Sequence, residues 1–260
     1  MATGVNSGSK FRAGVTLSRT VIPTTPPNYL QRKHLFSLLE GPSSGSTLVV
    51  APTGYGKTAL VAEWARTKKN LIWLTISEHD TLSEMSTLFI QATRNLIPDF
   101  APWFETDQPL RPTEIVRRWG NELRERGDEY IFVLDNLRDN FANDVEIASQ
   151  LIEQFPSNLY FVAMRRNAYE GSYGIMSSRG PLKVIDAAAL KFNSEEMVAL
   201  ANSRDVTDSK IIAEIESKSD RWPIVASMLL DSYISTSEVP NFEFIASSET
   251  EPLVQLANEM

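Results

Sequence analysis

Short apolar runs alternate with longer amphipathic stretches through the first two thirds of the chain. The runs STLVVAP, NLIWLTIS, EYIFVLDN, NLYFVAM and LKVIDA are rich in branched and aromatic residues and are bounded by polar residues, Gly or Pro. Such continuous apolar runs predict strands that are buried on both faces. Residues 57–69, 82–97, 113–126 and 143–155 repeat apolar positions at steps of three and four, which predicts helices between the strands.

Alternation of strands and helices predicts an α/β fold, because parallel strands need helical crossover connections. After Ala189 the strand pattern stops. The stretches NSEEMVALANS, DSKIIAEIESKS and WPIVASMLLDSYIS predict three helices, and Asn193 precedes Glu196 by three positions, as in a capping box. A small helical subdomain is therefore expected to follow the sheet.

The segment Ala51–Thr58 (APTGYGKT) fits the P-loop pattern A/G-x-x-x-x-G-K-S/T, and it lies between a predicted strand and a predicted helix. Gly54 and Gly56 allow backbone N–H groups to turn toward phosphate oxygens. Lys57 would reach the β- and γ-phosphates, and the Thr58 hydroxyl would ligate Mg²⁺. The predicted cofactors are ATP or ADP with Mg²⁺.

Two further strands end in residues that suit a phosphate site. The run YIFVLDN ends in Asp135, which would hold Mg²⁺, and LYFVAM is followed by Arg165 and Arg166. In open α/β sheets the ligand lies at the carboxyl ends of the strands, so either Arg could contact phosphate there. A surface Arg pair is an equally ordinary explanation.

Composition excludes several classes of function. The formal net charge is −8, which disfavours a broad nucleic-acid surface, because phosphate contacts need clustered Lys and Arg. Cysteine is absent, so disulfides and thiol chemistry are excluded. The polar start of the chain lacks the apolar core of a signal peptide, and a cytoplasmic location is the expectation.

Several pieces in order resemble the nucleotide-binding module of the MalT-like, large LuxR-type transcription regulators, a STAND-class group of signalling P-loop ATPases. The pieces are LSRTVIPTTPPNYLQRKHLFSLLEG, LVVAPTGYGKTALVAEWA, IWLTISEHDT, FVLDNL, VAMRRN, LKFNSEEMVAL and DRWPIVASMLL, which together span residues 17–230. Tyr55, the Glu63-Trp64-Ala65 run and the later LKFNSEE and WP pieces distinguish this family from other P-loop proteins.

The resemblance implies roles for residues outside the P-loop. Arg32 would lie near the adenine and ribose, Arg165 would sense the γ-phosphate, and Pro223 with Trp222 would cover the adenine. Together with the P-loop, the implied nucleotide-binding set is Arg32, Ala51, Pro52, Thr53, Gly54, Tyr55, Gly56, Lys57, Thr58, Ala59, Trp222 and Pro223. Lys57, Asp135 and Arg165 are the implied catalytic residues, and Thr58 and Asp135 the implied metal ligands. Asp80 also fits the family pattern, with a structural or weak polar role.

The chain departs from the family pattern at two positions. Arg221 stands where the family usually has Gly, and Asn136 follows Asp135 where a second acidic residue is common. An amide cannot accept a proton from the attacking water, so slow ATP hydrolysis is expected, with Mg²⁺ binding retained. Asp139 is the alternative source of a base.

These observations predict four segments: residues 1–28 as a partly flexible N-terminal segment, 29–189 as a P-loop α/β domain, 190–236 as the helical subdomain and 237–260 as a poorly defined terminus. The leading hypothesis is an ATP-dependent signalling switch without a membrane partner, in which self-association could depend on nucleotide. Direct DNA binding would belong to a C-terminal domain that is not in this chain. A small-molecule kinase and a nucleotide-stabilised interaction module without turnover are the alternatives.

Overall fold

Five parallel strands form one sheet at the centre of the protein. The computed structural model describes residues 17–26, 29–77, 79–106, 110–137, 152–167 and 170–240. The strands are β1 (Ser46–Val50), β2 (Leu71–Thr75), β3 (Tyr130–Asp135), β4 (Leu159–Arg165) and β5 (Leu182–Ile185), in the spatial order β2-β3-β4-β1-β5. All neighbouring pairs are parallel, which confirms the predicted α/β class.

Helices connect the strands and form the end of the described chain. They are α1 (Lys57–Ala65), α2 (Leu82–Arg94), α3 (Trp103–Thr106), α4 (Pro112–Arg126), α5 (Glu170–Ser177), α6 (Ala187–Leu190), α7 (Ser194–Asn202), α8 (Ser209–Ser219) and α9 (Pro223–Thr236), with 3₁₀ helices at Leu17–Thr20 and Lys33–Leu39. The first two predicted helices end several residues earlier than expected, and most of the helix predicted over 143–155 lies outside the described residues. None of the helices in the described ranges combines the length and apolar character that crossing a bilayer requires.

Alternate residues of each central strand face opposite layers, because side-chain direction has a period of two in a strand. On one face, Leu48, Phe132 and Phe161 pack against α2 and α4, where Trp119 is fully buried. On the other face, Val49 and Val162 pack against α1 and the second 3₁₀ helix. The sheet is thus covered on both sides, as an all-parallel sheet requires.

The expectation of burial on both faces is wrong for β5. Among the described strands it pairs with β1 alone, and its Lys183 and Val184 side chains are exposed. The Lys183 ammonium donates to the Glu40 carbonyl at 2.7 Å. A charged side chain on an edge strand limits pairing with another sheet, and the edge position explains the exposure.

The three predicted C-terminal helices are confirmed as α7, α8 and α9, and they enclose an apolar cluster of their own. The capping box at the start of α7 is present: the Asn193 side chain accepts from the Glu196 N–H, and the Glu196 side chain accepts from the Asn193 N–H. Pro223 occupies the first turn of α9, where its missing N–H leaves no helical bond unmade.

A buried ion pair joins the segment before the sheet to the helical part. The Arg32 guanidinium contacts both carboxylate oxygens of Glu196, at 2.5 and 3.0 Å, and it also donates to the carbonyls of Leu190 and Lys191. Its side chain is 4% exposed and that of Glu196 is 8% exposed. The guanidinium also lies 5.0 Å from the centre of the Phe192 ring. Arg32 therefore holds the start of the helical part against the α/β part.

We expect Arg32→Met to lower the free energy of unfolding by about 3–5 kcal/mol in the absence of nucleotide, because it leaves a buried carboxylate without its partner. Denaturant unfolding followed by circular dichroism measures this change. Arg117→Met is the matched control, since Arg117 pairs with Glu114 on the surface of α4 and should change stability little. Equal stability of the two variants would show that the Arg32 ion pair does not hold the two parts together.

Candidate functional site

A cavity of about 570 Å³ lies at the edge of the sheet where the strands end. Its size falls within the range of roughly 300–1,000 Å³ that is typical of ligand clefts. The loops after β1, β3 and β4 all open onto this edge, since the strands are parallel. The lining residues are Pro23, Thr24, Pro26, Thr53, Gly54, Gly56, Lys57, Thr58, Ala59, Ala62, Thr75, Asp135, Asn136, Met164, Arg165 and Arg166.

The loop between β1 and α1 turns through two glycines with left-handed backbone angles. Gly54 has φ +84° and Gly56, the residue before α1, has φ +77°. A Cβ at Gly54 would lie 2.2 Å from the Ile224 side chain, whereas a Cβ at Gly56 would meet nothing within 4 Å. Gly54 is thus required because a side chain would clash with Ile224 and because its φ is positive. Gly56 is required only because its φ is positive. The N-terminus of α1 points its free N–H groups into the turn, which favours an anion there.

The Lys57 ammonium is folded back over this loop. It donates to the carbonyl of Ala51 at 2.6 Å and to that of Pro52 at 2.9 Å. Burial lowers the pKa of Lys57 to about 8, the nearby Asp135 carboxylate opposes this shift, and the charge of Arg166 adds to it. A phosphate in the cavity would add negative charge beside this ammonium and would raise its pKa again.

Thr58 and Asp135 meet although they come from separate motifs. The Thr58 hydroxyl donates to the Asp135 carboxylate, with oxygen–oxygen distances of 3.1 and 3.3 Å. Burial raises the pKa of Asp135, against the opposing effect of the Thr58 hydroxyl, the Asn136 N–H and the Lys57 charge. A hydroxyl and a carboxylate at this separation fit Mg²⁺, which prefers a few oxygen ligands from protein together with phosphate and water. The described residues contain no cluster of three or more His, Cys, Asp or Glu side chains suited to a metal.

Strand β4 lies between β1 and β3, so its end is placed between the phosphate loop and Asp135. Arg165 pairs with Val50 in the register of β4 and β1, and its side chain is 2% exposed. Arg166 is exposed but also lines the cavity. Both cations therefore stand at the site. The exposure of Arg166 fits the explanation as a surface residue, and its place on the cavity lining is compatible with a phosphate contact.

Asn136 has a backbone role that the sequence did not indicate. It adopts φ +63°, a left-handed conformation that Asn tolerates better than most residues. Its side-chain amide donates to the Ile76 carbonyl at 3.0 Å, across the ends of β2 and β3. Asn136 also lines the cavity next to Asp135, and Asp139 lies outside the described residues.

The predicted site residues divide into two groups. Those that line the cavity are Thr53, Gly54, Gly56, Lys57, Thr58, Ala59, Asp135 and Arg165. Those that do not line it are Arg32, Ala51, Pro52, Tyr55, Trp222 and Pro223. Arg32 is engaged by Glu196 and two carbonyls, while Ala51 and Pro52 serve through the carbonyls that accept from Lys57.

Tyr55 and Trp222 instead join the phosphate loop to the helical part. Their rings stack with centres 5.1 Å apart and an angle of 28° between planes. Two residues after Trp222, the Ile224 N–H donates to the Gly54 carbonyl at 3.1 Å. The helical part therefore touches the backbone of the phosphate loop directly.

The turn before Trp222 is strained. Asp220 and Arg221 have φ +48° and +61°, so two successive residues with side chains are left-handed. Such a conformation is costly for a residue other than Gly, which gives a physical reason why Gly would suit position 221. The close backbone approach nevertheless occurs, at Ile224.

One wall of the cavity is formed by the N-terminal segment, which the sequence analysis expects to be partly flexible. Pro23, Thr24 and Pro26 line the cavity. The 3₁₀ helix before them is anchored by Arg19, which donates to the Thr75 carbonyl and pairs with Asp80 through two bonds. This pairing gives Asp80 the structural role expected for it.

Thr75 was also missed as a lining residue, along with Ala62 and Met164. Its position at the carboxyl end of β2 is the signal that could have found it, because ligands gather at that end of parallel strands.

Comparison with known proteins agrees with this arrangement of strands. No protein-family model matches the chain. A STAND protein with a tetratricopeptide-repeat sensor from Pyrococcus horikoshii is similar with a TM-score of 0.58 and 14% identity, over 85% of this chain and 32% of that chain. The ORC1 protein of Aeropyrum pernix, solved in complex with DNA, is similar with a TM-score of 0.51 and 16% identity, over 83% of this chain and 64% of that chain.

The chain spans about a third of the first structure and just under two thirds of the second. At these identities the likeness concerns the fold. In this chain the fold consists of a five-stranded parallel sheet flanked by helices, with a glycine-rich loop between β1 and α1. The chain therefore has the P-loop NTPase fold.

Proposed function

We propose that the chain is an ATP-binding signalling switch module with slow ATP hydrolysis. The contact that supports the switch best is the bond from the Ile224 N–H to the Gly54 carbonyl, because it makes the helical part sensitive to the phosphate loop. A ligand shifts a conformational equilibrium only through different contacts in the two states. Phosphates bound in this loop would change the surroundings of the Gly54 carbonyl, which the helical part already binds through Ile224.

Nucleotide binding is supported by complementary charges at the cavity. Lys57, Arg165 and Arg166 stand around the loop that would receive the phosphates. Thr58 and Asp135 would hold Mg²⁺, which when bound screens phosphate charge and orients the phosphoryl group. In this proposal Lys57 exchanges its two carbonyl partners for phosphate oxygens, and Arg165 stabilises charge on the terminal phosphate.

The Asn136 side chain supports slow hydrolysis. An amide has no basic site for the proton of an attacking water, and the Asn136 amide nitrogen is held as a donor to the Ile76 carbonyl. Proton abstraction by a positioned base contributes about 10²- to 10⁴-fold to rate, and the described residues next to Asp135 supply no second carboxylate in its place.

The regulatory setting of the proposal comes from the sequence resemblance to large LuxR-type, MalT-like regulators. In that setting the chain is the ATPase module of a transcription regulator, located in the cytoplasm. DNA binding belongs to a separate C-terminal domain, and the net charge of −8 is consistent with this division. Nucleotide-dependent self-association would transmit the signal.

We expect Mg-ATP or Mg-ADP to raise the melting temperature of the protein, because a ligand of the native state stabilises it by about 2.7 kcal/mol at 100 times its Kd. Lys57→Ala should abolish this shift, since it removes the cation at the phosphate loop. Differential scanning fluorimetry measures both. Lys69→Ala, an exposed change just beyond α1, is the control and should keep the wild-type shift. A full shift in Lys57→Ala would refute the phosphate role of this loop.

Nucleotide affinity should depend on pH through Lys57. Its pKa of about 8 in the free protein means that the ammonium is charged below that pH and loses its charge above it. Affinity should therefore fall by up to about tenfold for each pH unit above 8, because binding must first restore the proton. Calorimetry at pH 8.5 in buffers of different ionisation enthalpy should detect proton uptake on binding. Constant affinity up to pH 9.5 without proton uptake would contradict this.

Asp135 and Asn136 should have separable effects. Asn136→Asp replaces a donor by a carboxylate that the Ile76 carbonyl repels, so the new group should turn toward the cavity and raise single-turnover hydrolysis, by at most about 10²- to 10⁴-fold. Asp135→Asn should instead weaken Mg²⁺-dependent ATP binding roughly 10- to 100-fold. Rapid-quench assays and calorimetry measure the two effects.

Asp139→Ala is the control for the alternative base. If Asn136→Asp does not increase hydrolysis and Asp139→Ala abolishes it, the base is Asp139. If wild type already hydrolyses several ATP molecules per second, and neither the change at position 135 nor the one at position 136 alters this rate, the catalytic carboxylate lies elsewhere. Turnover that rises sharply with an added metabolite would favour the small-molecule kinase.

A further inference from the structure

Thr75, the last residue of β2, places a side chain with a neutral hydroxyl at the cavity. It is partly exposed, whereas Trp73 and Leu74 before it are buried. Its strand ends at the same edge of the sheet as β3, which carries Asp135. A polar side chain at the carboxyl end of a parallel strand lies where open α/β sheets bind their ligands.

Thr75 lies beside Asp135 on the face of the sheet that α1 covers. In the register of β2 and β3, Thr75 is paired with Asp135, and Trp73 is paired with Val133. Neighbouring strands are about 4.8 Å apart, and residues two positions apart in a strand share a face. Trp73 and Val133 pack in the apolar cluster that contains the buried residues of α1. Thr75 and Asp135 therefore share the face from which the Thr58 hydroxyl reaches Asp135.

The hydroxyl of Thr75 is held in place by the residue beneath it. The Trp73 indole N–H donates to Thr75 Oγ1, with a nitrogen–oxygen distance of 2.9 Å. A hydroxyl has one proton to donate and two lone pairs that accept. The indole takes one lone pair, so the second lone pair and the proton face other groups. A change of rotamer would break the bond to Trp73, which limits the motion of this side chain.

A metal ion at Thr58 and Asp135 would need an acceptor in this position. Mg²⁺ keeps several of its waters when protein side chains bind it, and these waters point their hydrogens away from the cation. The cations that line the cavity are Lys57, Arg165 and Arg166, which offer donors only. A neutral oxygen next to Asp135 can accept from such a water without adding charge, and groups of this outer kind orient a metal and its ligands.

We propose that the Thr75 hydroxyl accepts a hydrogen bond from a water of the Mg²⁺ ion bound at Thr58 and Asp135, and so acts as a positioning residue for the metal. The inference rests on the proposed function, because it takes a nucleotide with Mg²⁺ to be the ligand of the cavity. It adds a third side chain to the metal site, from a strand that belongs to neither of the two sequence motifs.

The test measures how much Mg²⁺ strengthens the binding of ADP, which avoids turnover during the titration. Calorimetry on the full chain gives the Kd of ADP in excess EDTA and in excess Mg²⁺, and the ratio of the first to the second is called the magnesium gain. Wild type should bind ADP more tightly in Mg²⁺. Thr75→Ser keeps the hydroxyl and should keep the magnesium gain within about twofold.

Removal of the hydroxyl is tested on a Trp73→Phe background, because Thr75→Val alone would leave the buried indole N–H without its acceptor. Trp73→Phe by itself should retain most of the magnesium gain. Adding Thr75→Val should make the gain about three- to tenfold smaller, the effect of one hydrogen bond, and leave the Kd of ADP in EDTA unchanged. Thr87→Val is the matched control: Thr87 is partly exposed on α2, where its hydroxyl donates to the Ser83 carbonyl, and neither Kd should change.

The outcomes separate the inference from the proposed function. Equal gains with and without the Thr75 hydroxyl on the Trp73→Phe background would overturn the role of Thr75, while the phosphate site stands. Equal losses of ADP affinity in EDTA and in Mg²⁺ would also overturn it, since a structural role weakens both alike. Loss of the gain in Trp73→Phe alone or in Thr75→Ser, or a wild type without any gain, has the same consequence. If wild type binds ADP in neither condition, the proposed function itself fails.

Discussion

The common direction of the five strands is the constraint on which the site depends. Because all the strands are parallel, every loop that follows a strand opens at one edge of the sheet, and the polar groups of distant segments collect there. Thr58 and Asp135 are far apart in sequence, yet their oxygens lie 3.1 Å apart. The spatial order then places the end of β4, with Arg165, between the two. Reversing any one central strand would remove its contribution to this edge.

Features that depend on local pattern could be predicted from the sequence. The strands, the phosphate loop, the start of α1 and the capping box at Asn193 each follow from neighbouring residues, because dihedral preferences and side-chain periodicity act over a few positions. The three C-terminal helices are found close to their predicted bounds for the same reason. Among the residues that line the cavity, those named from the sequence belong to such local motifs, above all Gly54, Gly56 to Ala59 and Asp135.

Features that depend on distant contacts could not be predicted. The exposure of β5 follows from its place at the sheet edge, which no residue of the strand encodes. Pro23 and Pro26 form a wall of the cavity because Arg19 pairs with Asp80, about sixty positions later in the chain. The burial of Arg32 likewise depends on Glu196. Each of these contacts joins two segments that are far apart in the sequence. No periodic pattern in either segment indicates which distant residue it will contact in the folded chain.

The bond between Ile224 and Gly54 also has a geometric effect on the neighbouring residue. A trans peptide unit is planar, and its C=O and N–H point in opposite directions. Holding the Gly54 carbonyl toward α9 therefore turns the N–H of Tyr55 to the opposite side. Ile224, at the start of α9, thus sets the orientation of the neighbouring Tyr55 N–H. Conversely, any ligand that rotates this peptide plane must break the bond to Ile224, so that one plane couples the two parts of the molecule.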